Sequence, residues 1–407
     1  MVRSQKMILD ATYAIWLIPL TWLSAITGVL LFYRRALLAV WREPVMRRPI
    51  LIIESDDWGA GPVETQATAL KRLTDVLRQY RDSTGRHPVM TLALILAVPD
   101  GAAIRRDGQY RHLSLEAPAF APLRDAIDRG RAAGVFTLQL HGLEHYWPDA
   151  LMAANDPAVQ SWLESETPAT TEQLPSHLQS RWVDAAVLPS RPLETEQIEA
   201  AVTDEVELYA RLFGARPQVA VPPTFVWNDF VESAWSRHGV EFVVTPGLRS
   251  ACRDATGMPN CDCGPLRNGH AGQGVTYLVR DDYFEPERGH LAELALDALA
   301  RKREQGRPCL LETHRSNFIG DRATRDSALN EIDRLYRQAL EQYPDVRFLA
   351  TAELGQVIRA KDPAWIESRT GVRLAAWGAR IRLLRGFWRL ARMTGLAWLL
   401  SHALPAH

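Results

Sequence analysis

Cysteine is scarce: four residues in 407 cannot build a disulfide framework. That excludes a small secreted scaffold held by bridges and fits a reducing compartment. Cys252, Cys261 and Cys263 fall near His270, but their spacing follows no standard zinc pattern and they are read as loop cysteines. Excess charge is lacking too. A net charge of −1 gives no global electrostatic case for a nucleic-acid partner, and none is expected. No internal repeat is present, so a solenoid is excluded. Charge is absent altogether from Ala11 to Tyr33, a run of 23 residues. About 20 helical residues cross a hydrocarbon core. A small-x-small cleavage site is missing after this run, where Tyr33-Arg34-Arg35 follows instead, and this argues against a cleaved signal peptide.

The run therefore reads as an uncleaved anchor, with Pro19 a place for a kink. Arg3 and Lys6 precede it, whereas Arg34, Arg35, Arg42, Arg47 and Arg48 follow it. The positive-inside bias puts the main domain on the cytoplasmic face of the inner membrane. At the other end, Arg382, Arg385, Arg389 and Arg392 share one helical face, and Leu383, Leu384, Phe387, Leu390 and Trp398 share the other. A basic amphipathic helix with aromatic residues suits the interface of an anionic membrane, so membrane lipids are expected partners.

Between these ends, short apolar strands alternate with amphipathic helices. Strands are expected at Pro49–Glu54, Val89–Ala97, Val135–Leu140, Gln218–Val221, Glu241–Thr245, Val275–Val279, Pro308–Glu312 and Val346–Ala350. Helices are expected at Val63–Arg81, Ala121–Ala133, Glu194–Phe213, Phe230–His238, His290–Arg303, Thr324–Gln342 and Ala352–Ala360. The alternation predicts an α/β fold, a distorted (β/α)7–8 barrel, with a transmembrane helix before it and an amphipathic helix after it. The expected layout is an anchor over 1–35, a basic connector over 36–48, the barrel over 49–361 and a membrane-surface helix over 362–407. A polar insertion over 149–192 interrupts the barrel. It reads as a surface insertion or as a lid, with Arg181 and Trp182 its most notable residues.

Three strands end in chemistry. Leu51-Ile52-Ile53-Glu54-Ser55 runs into Asp56-Asp57-Trp58-Gly59; Val135–Leu140 runs into His141-Gly-Leu-Glu-His145; Cys309–Leu311 runs into Glu312-Thr313-His314-Arg315. In a (β/α) barrel the carboxyl ends of the strands converge. Two imidazoles and one carboxylate form a facial ligand set with open positions, as a catalytic divalent ion requires. A second carboxylate beside it can take a proton from water, and His314 is the candidate acid. On an ideal strand Asp56 and Asp57 point oppositely, so the backbone has to turn at the strand end for both to serve one site. A phosphotransferase built on Asp56-Asp57 leaves all three histidines unexplained.

These motifs resemble those of the polysaccharide deacetylase (NodB-like) superfamily, carbohydrate esterase family four. Glu54-Ser-Asp56-Asp57-Trp58-Gly59 is similar to its first motif and His141-Gly-Leu-Glu-His145 to its second, with Gly142 where Ser or Thr is usual. Leu310-Leu311-Glu312-Thr313-His314 is similar to its last. The resemblance covers Arg48 to Gly355 and implies a distorted (β/α) barrel. It implies that Asp57, His141 and His145 hold one divalent ion, zinc first and cobalt, nickel or manganese as alternatives. It implies Asp56 as general base, His314 as acid, and hydrolysis of an acetyl or other small N-acyl group on an amino sugar. The substrate would be a polysaccharide or a lipid-linked glycan. Trp58, Pro223, Trp227, Arg280 and Arg315 are the candidate substrate contacts.

Two departures stand out. The family has Arg before a Pro pair, where this chain has Val221-Pro222-Pro223; Arg216, Arg280 and Arg315 are the candidates to orient the base instead. The usual Asp-and-Trp motif is not clear either, and Arg280-Asp281-Asp282-Tyr283-Phe284-Glu285-Pro286 is the stretch that could supply a carboxylate to His314. The missing Arg is the main support for the alternative reading, a non-catalytic glycan-binding or assembly subunit of a membrane polysaccharide pathway. Most members of that family act outside the cytoplasm, whereas the charge count and absent disulfide pattern here point inward. Alkaline phosphatase fused after His407 is therefore expected to stay inactive in cells, and phosphatase activity of the fusion would refute the cytoplasmic placement.

Overall fold

The computed structural model describes residues 2–165, 170–261 and 264–405, with side chains described from Leu17 onward and omitted at Cys261. Cys263 lies outside the described residues. Contacts divide the chain into two compact units, Arg48–Arg303 with Pro308–Asp362, and Met1–Arg47 with Glu304–Arg307 and Pro363–His407.

The larger unit is a curled sheet of nine parallel strands. They are β1 (Ile50–Gly59), β2 (Met90–Ile95), β3 (Phe136–Gly142), β4 (Val219–Ala220), β5 (Phe242–Thr245), β6 (Thr276–Val279), β7 (Asp282–Tyr283), β8 (Cys309–His314) and β9 (Arg347–Phe348). The order across the sheet is β6-β5-β4-β3-β2-β1-β8-β7, with β9 beside the start of β1. From β1 to β6 neighbours in sequence are neighbours in space, as in a (β/α) barrel, but no ladder joins β6 to β7. Only Arg280 and Asp281 separate those two strands, so the barrel is distorted and open at that seam.

The strands form where they do because their residues are apolar without interruption. β1 and β2 are buried along their whole length, as strands of a sheet covered on both faces must be. All eight expected strands are present; β7, two residues long, was not foreseen. The seven expected helices are present as well: Val63–Leu77, Ala121–Ala132, Thr195–Phe213, Asp229–Arg237, Ala292–Glu304, Arg322–Gln342 and Thr351–Ala360. Their ends follow local chemistry. Asn228 accepts from Phe230 N and Val231 N to open one helix, and Gly214 in the left-handed region closes the one before it.

The insertion is not a loose loop. Its described residues build a second core in which Trp162, Leu163, Leu174, Leu178 and Val183 pack with Ile104, Tyr146 and Val226.

The smaller unit is helical. The first helix, α1, runs Val2–Arg42, and its Leu17–Arg42 portion is long and apolar enough to cross a membrane. Leu37 and Val40 of α1 pack with Ile381, Phe387, Ala391 and Leu396 of the tail. The tail forms three helices, Thr370–Ile381, Arg385–Met393 and Leu396–Ala403. Gly395 at φ +74° separates the last two, which puts Trp398 on a different helix from the arginines. Arg382, Arg385, Arg389 and Arg392 are all exposed, while Phe387 between them is buried.

One buried side chain ties this unit together. Arg380 donates Nε to Gln305 O at 2.7 Å, Nη1 to Glu43 O at 2.9 Å and Nη2 to Pro44 O at 2.7 Å. Glu43 and Pro44 follow the last residue of α1, where carbonyls have no helical partner, so a guanidinium is a fitting cap. Arg380→Met should destabilise this unit by about 3 kcal/mol, because hydrogen bonds to a charged group contribute most when buried. Limited trypsin digestion should then cut the tail faster in Arg380→Met than in Arg389→Met, and equal rates would count against this role.

Candidate active site

The site starts from a fault in β1. Asp56 pairs in register with His314 of β8, and on its other edge β1 slips against β2 between Ser55 and Trp58. Asp57 lies in the slip at φ +71°. That conformation costs a non-glycine residue about 1 kcal/mol or more. It is how two adjacent carboxylates, which alternate on a regular strand, both serve the mouth of the barrel. The flanking residues hold the fault in place. Trp58 is fully buried, donates Nε1 to Ser55 Oγ at 2.7 Å and stacks on Phe318. A side chain on Gly59, at φ +111°, would put its Cβ 2.2 Å from Ile95 O, so no larger residue fits.

His141 is the penultimate residue of β3, and its Nδ1 lies 2.8 Å from the backbone oxygen of Val221. Nδ1 must carry the proton to donate to a carbonyl, which leaves the Nε2 lone pair free. His145 is reached through a tight bend, not the helical turn that would put i and i+4 on one face, because the next helix begins only at Pro148. Gly142 makes the bend at φ +120°; a Cβ there would meet Glu144 O at 2.7 Å and Arg181 Cδ at 3.1 Å. This explains glycine at the Ser/Thr position of the motif. The rings of His141 and His145 lie 4.8 Å apart, edge to face. Their Nε2 atoms stand 3.4 Å and 3.5 Å from the same oxygen, Asp57 Oδ1.

The bend is secured from behind by the insertion. Arg181, buried, pairs with Glu144 and sends Nε to Glu205 Oε2 at 3.2 Å; Glu205 also accepts from Leu143 N at 3.1 Å and from Trp235 Nε1 at 2.8 Å. Trp182 is fully buried edge-to-face on Trp235. Both residues singled out for a lid thus face the interior.

Asp57, His141 and His145 form a group able to hold a metal ion, their ligand atoms all within 4.8 Å of one another. Asp57 Oδ1 is buried and receives no hydrogen bond, an expensive state unless a cation meets it. Burial pushes His145 down to about 4, with His141 and His314 adding to the effect and Asp57 opposing it. Burial also opposes the Asp57 charge, yet the imidazoles around it hold that carboxyl well below the usual range. At His141 burial also favours the neutral ring, but the Asp57 contact and the Asp56 and Asp57 charges outweigh it and raise its pKa above the ordinary value; a divalent ion bound there would take the place of that proton. The residues fit the ion that the motifs imply.

Beside this group stands the base candidate. Asp56 is clamped by Arg280, Nη1 to Oδ1 at 2.9 Å and Nη2 to Oδ2 at 2.6 Å. Arg280 is fully buried and also donates to Glu54 Oε2 at 2.9 Å. It is therefore an internal clamp and not a substrate contact, which corrects the expectation above. Among the candidates to orient the base, Arg216 binds His238 O and Arg315 binds Glu172. The open seam between β6 and β7 delivers Arg280; Val221 contributes its backbone to His141 instead. Burial works to neutralise Asp56, but Arg280, with His141, outweighs it and keeps its carboxyl below the ordinary value. Burial wins at Glu54 and Glu312, whose carboxyls are pushed up while Arg280 opposes.

The acid candidate, His314, ends β8 with Nδ1 hydrogen-bonded to Glu285. Asn317 donates to the other oxygen of Glu285. Burial alone would lower His314, but the Glu285 hydrogen bond and the Asp57 and Asp56 charges raise it to about 10. Glu285 is the carboxylate that the segment after β6 was expected to supply. A second cluster, Asp56, Glu312 and His314, also brings its ligand atoms within 4.8 Å, but Arg280 already provides its cation.

The remaining expected contacts are less direct. Trp227 is fully buried with Nε1 on Glu232 Oε1 at 2.7 Å, so like Trp58 it offers no face to a sugar. Pro223 is buried in the turn where Thr224 and Phe225 take positive φ. Arg315 is buried beside His314 with its backbone N on Asp56 O at 3.0 Å. Tyr283, paired in register with Glu312, is an exposed aromatic ring that the sequence reading passed over.

No family model matches the sequence, and no curated protein does. Among solved structures, the chain is similar to the peptidoglycan deacetylase PdaC from Bacillus subtilis, at 12% identity and TM-score 0.37 over 78% of this chain and 95% of that one. A family 4 carbohydrate esterase from Streptomyces lividans in complex with acetate gives 11% identity and 0.34 over 76% and 96%. A 4-alpha-glucanotransferase from Thermococcus litoralis gives 9% and 0.39 over 85% and 48%. None of these likenesses bears on the chemistry of the site.

Metal content separates ligands from their neighbours. Asp57→Ala and His141→Ala should each lose bound divalent ion by elemental analysis, whereas Asp56→Asn should keep it. An unchanged ion content in His141→Ala would remove it from the ligand set.

Proposed function

We propose that this chain is a metal-dependent hydrolase that removes a small N-acyl group from an amino sugar. One observation carries the reading. A metal-capable group, a carboxylate locked by an arginine and a histidine locked by a carboxylate meet at the strand ends of one barrel. A glycan-binding module has no use for a carboxylate and an imidazole each held in one protonation state. The non-catalytic alternative drew its support from Val221, and Arg280 fills the role that Val221 leaves vacant.

The chain's own groups divide the work. Asp57, His141 and His145 would hold the ion. A divalent ion there supplies Lewis acidity, polarising a carbonyl oxygen and making water a better proton donor. Asp56 is ionised and fixed in orientation by two hydrogen bonds from Arg280, so it takes a proton from the attacking water without reorienting. Its lowered pKa makes it a modest base, so position and not strength is its contribution. His314 carries a proton at neutral pH and keeps Nε2 free, because Nδ1 is tied to Glu285. It delivers that proton to the leaving nitrogen as the carbon–nitrogen bond breaks. The products are a small carboxylic acid and a free amino sugar.

The apolar portion of α1 and the exposed arginines of the tail support a membrane-attached enzyme. The basic residues after the anchor support the cytoplasmic face of the inner membrane, and there a lipid-linked N-acyl glycan is a natural substrate. Zinc suits two imidazoles and a carboxylate with open positions.

The reading is tested by acylate release. Protein purified in detergent, loaded with zinc, cobalt or nickel, should free acetate or formate from N-acyl amino sugars, and Asp56→Asn should lower the rate by about 100-fold or more. No release by a metal-loaded protein from any offered sugar would count against the hydrolase. The pH profile checks the acid. His314 must be protonated to act, so activity should fall as pH rises through its pKa. With Asp57 neutralised by a bound cation, one support of that pKa is lost and the alkaline limb should lie below 10. Glu285→Gln removes another and should move the limb lower again by about one pH unit. An unmoved limb would show that another group sets it.

A further inference from the structure

Glu312 is left over by the reaction proposed above. It leaves β8 two residues before His314, in register with Glu54 of β1. Its Oε2 lies 3.1 Å from Arg280 Nη2 but receives no hydrogen bond, while the hydrogen bonds of Arg280 go to Glu54 and Asp56. Its Oε1 lies 3.9 Å from His314 Nε2, the nitrogen that would deliver the proton. The Glu312 side chain is 8% exposed and that of His314 27%, so Glu312 lies deeper than the acid beside it. A buried carboxyl oxygen held by an ion-pair contact without a hydrogen bond is incompletely satisfied, so the arrangement has capacity left for a ligand's hydrogen bond.

The geometry of an amide says which part of the substrate arrives there. Its carbonyl carbon has three substituents. The oxygen faces the group at Asp57, His141 and His145. The nitrogen faces His314 Nε2, and the glycan it belongs to extends outward, because a polymer or lipid-linked sugar cannot enter the buried floor. The third substituent, the inner end of the acyl group, is left to point at the floor beside Glu312.

We propose that Glu312 sets acyl specificity, favouring an acyl group whose inner end is a hydrogen or carries a polar substituent, such as formyl, glycolyl or glycyl, over acetyl. The inference rests on the reading that Asp56 and His314 flank a scissile amide. A methyl group pressed onto Glu312 leaves its hydrogen-bonding capacity unfilled. A formyl hydrogen leaves room for water, and an α-hydroxyl or α-amino group supplies the missing partner. A polar site rejects an apolar analogue more strongly than an apolar site rejects a missing methylene.

Two measurements on the full-length, metal-loaded protein test this. The first is kcat/KM for glucosamine carrying N-formyl, N-glycolyl, N-acetyl or N-propionyl groups. Formyl and glycolyl should exceed acetyl by about tenfold or more. Glu312→Leu should reverse the glycolyl-to-acetyl ratio, while Glu312→Gln, which keeps the polar end, should preserve it. The second is equilibrium binding of the same sugars to Asp56→Asn, which needs no turnover. The same order of affinities is expected, and Glu312→Leu in that background should abolish it. An acetyl preference in the unaltered protein, or an order that Glu312→Leu leaves intact, overturns the proposal. If no sugar is hydrolysed but the binding order holds and depends on Glu312, the hydrolase reading fails and the pocket assignment stands.

Discussion

The two-point contact between Arg280 and Asp56 is the constraint on which the rest of the site depends. A guanidinium with no exposed surface faces three carboxylates, Glu54, Asp56 and Glu312. Taking such a group out of water costs several kcal/mol, which only well-placed counter-charges offset. Arg280 can be there because the barrel fails to close between β6 and β7, so the chain leaving β6 turns inward. The open seam and the clamped Asp56 carboxylate are one feature seen at two scales. Glu285 follows from the same path: the segment that starts with Arg280 pairs with β8 as β7 and then meets His314. One short stretch thus fixes the geometry of both Asp56 and His314.

The other side of the mouth depends on backbone strain. Asp57 in the left-handed region slips the pairing of β1 with β2, and Gly142 at φ +120° stands where β3 ends. Each is held by packing: Trp58 against Phe318 for the first, Arg181 between Glu144 and Glu205 for the second. Strain of this kind persists only where surrounding contacts over-determine it. The insertion contributes here as structure. It supplies the arginine that holds the ligand bend.

The strands were legible in the sequence because a strand buried on both faces needs an unbroken apolar run, and the run stops where charge begins. For the same reason the three strand-end motifs stood out. β7 was not legible, since two residues carry no period. Glu54 and Glu312 had a signal that was passed over. Glu54 and Asp56, like Glu312 and His314, are two apart, so along each strand both point to the same face. Trp58 and Trp227 looked like sugar platforms because an aromatic beside a catalytic motif reads the same whether buried or open. Arg280 could be named but not assigned, because its partners are more than 200 positions away in the chain, at Asp56 and Glu54. The arginine pattern of the tail was legible. Its division into three helices turns on Gly395 and on packing along α1, which no local pattern contains.

The charge at the mouth is itself an argument for the ion. Five carboxylates, Glu54, Asp56, Asp57, Glu285 and Glu312, are buried there with one guanidinium. His314 adds a positive charge while it holds its proton, and raised pKa values at Glu54 and Glu312 relieve part of the excess. Asp57 has no such relief. Its carboxyl stays ionised, it has no arginine, and its Oδ1 faces two imidazole nitrogens across 3.4 Å and 3.5 Å with no hydrogen bond between them. Each of the other four carboxylates is either clamped, shared or pushed toward neutrality. The uncompensated charge is therefore concentrated on the one oxygen that has nitrogen donors arranged around it. A divalent cation at that point would relieve the repulsion among the carboxylates and satisfy the bare oxygen in a single step.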